Sequence, residues 1–250
     1  GHGCAHHMQT PAMIGAAMAL RGVLESSDQP FEIHVIGTPS EESLDGGKNE
    51  MAAHGGFDHI DVAFMVHGST LTQLETPSLA LIEMDVEFHG KTAHAGIAPY
   101  AGRSAVDAVT MLQTGLGLMR NHLKDSSRVS NIVLAGGTAV NSVPDFAKVK
   151  VEIRHSSMAY LESVEQWTRE IAQAAAMATQ TQVQITPVAH IYNTTINDAM
   201  GALLMECAEK FACDGIAPPR KDCGSTDFGA VTHRLPSCCL RVKTCLLYTS

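Results

Sequence analysis

Apolar and polar positions along the chain change rhythm twice. Phe31 to Gly37 is a short continuous apolar run, closed by Val35-Ile36-Gly37. It reads as a buried strand ending in a loop from Thr38 to Lys48. Before it, Pro11 to Leu24 is rich in Ala, Met and Leu and predicts a helix, with Thr10 as N-cap and Pro11 in the first turn. Ile60 to Val66 is a second short apolar strand. Helix, strand and strand in this order fit an α/β domain, with a mixed sheet covered by helices on both faces.

The second rhythm starts near residue 79. Ala80 to Phe88 alternates as a half-buried strand, and Arg103 to His122 carries apolar residues at 105, 106, 109, 112, 116 and 119, which is helical spacing. Val129 to Leu134 and Ala147 to Ile153 predict two strands, Leu161 to Ala178 an amphipathic helix, and Val183 to Val188 a last strand. The order β-α-β-β-α-β is that of a ferredoxin-like α+β unit. Asn197 to Cys213 then resumes a helix. The expected division is a catalytic-type α/β domain from residues 1–78 and 190–250, with a smaller α+β domain, residues 79–189, inserted into it. No internal repeat or low-complexity segment is visible.

Composition narrows the function classes. A chain of 250 residues, 45% hydrophobic and 17% charged, is globular in character. A formal net charge of −9 argues against a nucleic-acid surface, which needs clustered Lys and Arg. No apolar run approaches the roughly 18 residues of a membrane span, and no signal peptide is visible. Seven cysteines without a C-x-x-C pair do not resemble a disulfide framework, so a reducing cytoplasm is expected. The chain begins at Gly1 without Met, and its last six residues, Cys245-Leu246-Leu247-Tyr248-Thr249-Ser250, match one reading frame of a transposase adapter used in DNA library preparation. A fragment truncated at both ends, with a tail from about residue 243 that is not native, is therefore expected.

Three stretches carry candidate chemistry. Gly1-His2-Gly3-Cys4-Ala5-His6-His7 gathers one thiol and three imidazoles just before a helix, a donor set suited to Zn²⁺ and related ions. Local Cys/His clusters also occur as surface accidents. Glu41-Glu42 follows the strand at 31–37, where open α/β sheets place ligands beyond strand ends. One such carboxylate can bind metal while its neighbour moves a proton, though two acids in a loop can equally be a solvated turn. His67 ends the next strand at the same expected sheet edge. Other residues carry less: His34 reads as a satisfied core or edge histidine of the strand, Met8, Met13 and Met18 at five-residue spacing as helix packing, and Ser225 lacks the elbow of a Ser/His/Asp triad.

Taken in order, Gly1 to His6, Gly37-Thr38-Pro39-Ser40-Glu41-Glu42, Val66-His67, Gly90-Lys91-Thr92-Ala93-His94-Ala95, Gly102-Arg103-Ser104-Ala105, Gly136-Gly137-Thr138 with Asn141 and Pro144, and Gly224-Ser225-Thr226-Asp227-Phe228 resemble the M20 metallopeptidase and amidohydrolase family. The branch with Cys in the first metal motif is the most similar. The resemblance implies one or two divalent ions, Zn²⁺ or Mn²⁺, held by Cys4, His6, Glu42 and His67, with Glu41 as general base. It implies that His94 steadies the oxyanion of a partner subunit's site, that Asn141 and Arg154 meet the substrate carboxylate, and that the inserted domain is a lid that pairs two copies into a homodimer. An ordinary ion pair is an equally open reading of Arg154. Small-molecule amides are the implied substrates: N-acyl amino acids, aminobenzoyl-glutamate-like amides or dipeptides. A non-catalytic metal-binding relative, serving ligand binding or assembly, is the alternative. Ala5 stands where the family usually has Gly, a mild change if the backbone there is ordinary, and His7 where it usually has Asp or Asn. No residue beyond Phe228 matches the family's last metal-binding histidine; His233 is too close to the motif.

Overall fold

The computed structural model describes residues 4–43, 46–212, 215–219 and 224–244. The two glycines and the histidine at 1–3, and the tail at 245–250, lie outside the described residues. Two compact units emerge, one from residues 1–41, 47–78 and 194–250, the other from 42–46 and 79–193. The chain leaves and re-enters the first unit through a reciprocal pair: Ser78 N–H donates to Thr194 Oγ1 at 2.7 Å, and Thr194 N–H to Ser78 Oγ at 2.9 Å.

In the first unit, helix α1 spans His6–Leu24 and α2 Gly47–Ala53. Strand β1, Ala63–Ser69, pairs parallel with β7, Ser237–Lys243, and the short β2, Gln73–Leu74, pairs antiparallel with β7, giving a mixed sheet ordered β1-β7-β2. Helix α5, Asp198–Phe211, starts where the Asn197 side chain accepts from Met200 N–H, a standard N-cap. The four-residue α6, Gly229–Thr232, leads towards β7.

Two expectations need correction here. Helix α1 begins at His6, and Pro11 lies inside it rather than in a first turn capped by Thr10. Ala5 turns the chain in the left-handed region, φ 56°, and its carbonyl already accepts from Met8 N–H. The helix is thus under way before Pro11, which only removes one donor. Phe31–Gly37 is not in a ladder. Its apolar side chains suit a strand, but a strand exists only with a neighbour to take its hydrogen bonds, and none of the described residues offers that edge.

The second unit follows its hydrophobic rhythm closely. Strand β3 is Ala80–His89, β4 Arg128–Ala135, β5 Phe146–His155 and β6 Gln182–Ile191, all antiparallel in the order β4-β5-β3-β6. Helices α3, Ala105–Met119, and α4, Met158–Thr179, are each capped by a serine: Ser104 accepts from Asp107 N–H and Ser157 from Tyr160 N–H. Two short 3₁₀ turns, Pro99–Ala101 and Arg120–His122, flank α3. Ile82, Met84, Val86 and Phe88 of β3 and Val149, Val151 and Ile153 of β5 meet Leu112, Leu116 and Met119 of α3 and Leu161 and Val164 of α4 in one buried cluster. Both helices therefore cover one face of the sheet. The other face carries ion pairs: Lys148 Nζ lies 2.6 Å from Asp85, and Lys150 Nζ 2.6 Å from Glu83. Side-chain hydrogen bonds to Asp85 and Glu87 hold the Lys148 ammonium above its ordinary pKa, and Glu83 does the same for Lys150.

Candidate functional site

The first unit gathers its chemistry from separate stretches of chain. Cys4 and His6 flank the left-handed Ala5 at the start of α1. His67 sits within β1, opposite Arg241 of β7. Cys4 Sγ lies 3.4 Å from His67 Nε2, and the His6 and His67 rings meet edge to face at 5.8 Å. The donor atoms of Cys4, His6 and His67 all fall within 4.8 Å of one another. His6 Nε2 is 3.6 Å from Glu41 Oε2. Glu42, joined to Glu41 by a peptide bond, begins the short stretch 42–46 that groups with the second unit.

His67 is prepared for a lone-pair role. Its Nδ1 is 2.6 Å from the Gly68 carbonyl oxygen. A carbonyl can only accept, so Nδ1 carries the proton and Nε2 presents its lone pair towards Cys4. Arg241 Nη1 is 3.3 Å from the same Nδ1; with that nitrogen already donating, the contact is one of charge rather than a hydrogen bond. Burial, and then the Arg241 guanidinium, lower the pKa of the imidazole from its ordinary value, favouring the neutral form. Arg241 is itself paired with Glu75, 2.7 Å away.

The donor set fits a divalent ion. Ligand distances of about 2.0–2.3 Å place neighbouring donors of a tetrahedral ion about 3.3–3.8 Å apart, and the Cys4–His67 separation lies in that range. Thiolate, neutral imidazole and carboxylate together suit Zn²⁺ or a similar first-row ion.

The loop carrying Glu41 is tied at both ends. Ser40 takes a left-handed φ of 58° just before it. A Cβ on Gly47 would overlap the Pro39 carbonyl oxygen, so α2 can start this close only with glycine. The next residue, Lys48, is buried, and its ammonium lies 2.6 Å from Oδ1 of the fully buried Asp227. Asp227 Oδ2 also accepts Lys48 N–H at 3.0 Å. One residue earlier, Thr226 Oγ1 donates to Glu41 Oε1 at 3.0 Å.

The remaining expected site residues belong to the second unit. His94 and Asn141 lie in adjoining exposed loops: Ala95 N–H donates to the Asn141 carbonyl at 2.9 Å, and His94 bridges to Ser142. Arg154 lies near the far end of β5 from these loops, and its guanidinium donates through Nε and Nη2 to the two Glu152 oxygens at 2.7 and 2.9 Å. The structure thus brings His94 and Asn141 together, while Arg154 is engaged by Glu152. His34 is exposed beside Glu32, at 3.1 Å, and stacks edge to face with His59. Cys238 and Cys239 are buried in β7, and desolvation pushes both thiols up in pKa.

Sequence reasoning missed Arg241, Glu75, Lys48 and the role of Thr226. Their partners lie far away in the chain, and only the charged Arg241, between Leu240 and Val242, hinted at buried pairing.

Residues 1–246 match the family described as Peptidase family M20/M25/M40. The chain is 33% identical over 242 residues to a Mus musculus protein named Xaa-Arg dipeptidase, covering 94% of this chain and 56% of that one. It is 33% identical over 206 residues to one of the subunits of p-aminobenzoyl-glutamate hydrolase from Escherichia coli strain K12, covering 80% and 43%. The crystal structure of an aminobenzoyl-glutamate utilization protein from Klebsiella pneumoniae superposes with a TM-score of 0.72 at 25% identity, covering 83% of this chain and 56% of that one. The chain spans about half the length of the curated relatives it matches. On these matches, the first of which spans the residues gathered above, the chain belongs to peptidase family M20/M25/M40.

Proposed function

We propose that the protein carrying this chain is a metal-dependent hydrolase of amide bonds, acting on N-acyl amino acids, aminobenzoyl-glutamate-like amides or dipeptides. The observation that carries this reading is the meeting of Cys4, His6 and His67 with the carboxylate of Glu41, drawn from three separate stretches of chain. Names of relatives point the same way, towards dipeptides and aminobenzoyl-glutamate.

In this reading Cys4, His6, Glu42 and His67 hold one or two divalent ions, Zn²⁺ or Mn²⁺. Such ions, when bound, polarise a scissile carbonyl and lower the pKa of water. Glu41 takes the proton from the attacking water and hands it to the departing amine nitrogen. Its position beside the ligand set, with one oxygen held by Thr226, suits a base that must not wander. The second unit serves as a ferredoxin-like lid, residues 79–189, which pairs two copies into a homodimer and delivers His94 to the partner's oxyanion. Asn141 and Arg154 bind the substrate carboxylate, Arg154 exchanging its Glu152 partner for it; a planar guanidinium suits either carboxylate. A reducing, cytoplasmic setting suits the Cys4 thiol. No described helix is long and apolar enough to cross a membrane.

The test is Glu41→Gln in the full-length protein. Hydrolysis of a p-aminobenzoyl-glutamate or dipeptide substrate should fall roughly 100- to 10,000-fold, the span of a lost general base, with metal content by mass spectrometry unchanged. A wild-type protein that holds metal but cleaves no amide would favour the non-catalytic alternative, and an active Glu41→Gln protein would remove the base from the mechanism.

A further inference from the structure

We infer that Thr226 is a positioning residue for Glu41, an assignment that rests on the hydrolase reading. A glutamate side chain has three rotatable bonds, and a base aimed at one water must hold its carboxylate in a single orientation. Here the two oxygens have different surroundings. Oε1 accepts from Thr226 Oγ1 at 3.0 Å, across 185 residues of chain. Oε2 is turned towards His6, 3.6 Å from Nε2.

The direction of the Thr226 bond follows from the Glu41 carboxylate, which accepts, and its other contact agrees. Phe228 N–H donates to Thr226 Oγ1 at 3.4 Å, so the hydroxyl oxygen accepts from the backbone and its own proton is left to donate to Glu41. The threonine is not on a loose loop. Asp227, next in the chain, is fully buried and grips both the ammonium and the backbone N–H of Lys48. Lys48 follows Gly47, which lies against the Pro39 carbonyl at the other end of the Glu41 loop. The Lys48–Asp227 clamp therefore fixes the distance between the loop that bears the base and the loop that bears Thr226. The hydroxyl of Thr226 meets Glu41 and the Phe228 N–H; it acts through Glu41.

The experiment compares Thr226→Val, which keeps the shape and removes the donor, with Thr226→Ser, which keeps the donor, in the full-length protein. Thr226→Val should lower kcat about 10-fold or more, as expected when a hydrogen bond to a charged group is lost, with KM unchanged. Thr226→Ser should stay within about 3-fold of wild type, because the bond survives. A readout independent of turnover is the stability of the metal-free protein: Thr226→Val should destabilise it more when Glu41 is present than in a Glu41→Ala background, where only the Phe228 N–H contact is lost. Should the valine variant fail to fold, Thr226→Ala replaces it in the same comparison. An unchanged kcat for Thr226→Val, a serine variant no better than valine, or equal destabilisation in both backgrounds overturns the assignment. A wild-type protein without amidase activity is a different result, and overturns the hydrolase reading on which the assignment rests.

Discussion

The two units are held together by different means. In the second, Phe88, Met84, Leu112, Leu116, Met119, Ile153 and Leu161 are all less than 2% exposed and belong to one apolar cluster. In the first, α1 buries none of its side chains, and Met18 and Val23 remain 71% and 68% exposed. Beside a smaller set of buried apolar residues, Phe57, Phe228, Val231 and Leu235 among them, the first unit carries buried polar anchors near the site, Lys48–Asp227 and Arg241–Glu75. An apolar core tolerates small shifts of its members, whereas a buried ion pair and its hydrogen bonds work at one geometry. That difference suits a unit whose donors must lie within a few ångströms of each other, and it predicts different responses to substitution.

The largest effect is expected at the polar anchor. Asp227→Ala leaves the Lys48 ammonium buried without its partner and its backbone N–H without an acceptor. Breaking a buried pair in this way costs about 3–5 kcal/mol. Combining Lys48→Met with Asp227→Asn removes both charges and keeps an acceptor for the amide, so most of the stability should return. Urea unfolding of the single and double variants decides it; a double variant as weak as Asp227→Ala would mean that the clamp is not electrostatic.

Next come paired truncations in the two units. Leu112→Ala opens a cavity in the apolar cluster and should cost about 2–5 kcal/mol. Met18→Ala on the exposed face of α1 should cost less than about 0.5 kcal/mol. Native-state hydrogen exchange follows α3 and α1 separately, which a single unfolding curve would not. Similar losses at both positions would erase the contrast between the units.

The same contrast explains what could be read in advance. The second unit was legible because each of its helices and strands shows its own period: alternate residues of β3 face inwards, and α3 buries 105, 108, 109, 112, 116 and 119. Local pattern and tertiary burial agree there. In the first unit they part. Phe31–Gly37 has a strand's composition without a ladder, and β7, with Cys238 and Cys239 buried beside β1, is buried in a run at its start rather than at alternate positions. The Cys/His cluster, Glu41 and His67 stood out by residue type. Arg241 under His67, and Thr226 on Glu41, did not, because a contact across 174 or 185 residues leaves no mark on local sequence.

The smallest expected effect lies at Ala5, between Cys4 and His6. Sequence comparison made Ala in place of Gly look mild, on the condition of an ordinary backbone; the observed φ of 56° does not meet that condition. An L-residue in the left-handed region carries about 1–2 kcal/mol of strain, part of which glycine's extra unfolded-state freedom offsets. Ala5→Gly should therefore stabilise the protein by about 0.5–1 kcal/mol. The site's crowding gives a second handle. A Cβ added at Gly68 would stand 2.6 Å from the Ala5 Cβ and 3.0 Å from Thr244 Oγ1. Gly68→Ala should thus destabilise β1 next to His67, and Ala5→Gly should recover the share of that loss due to the Ala5 methyl, leaving the share due to Thr244. Thermal unfolding of the two single variants and the double variant gives the coupling directly. Purely additive changes would mean that the two methyls do not compete for this space, and a destabilised Ala5→Gly would mean that the left-handed turn before α1 is not a source of strain.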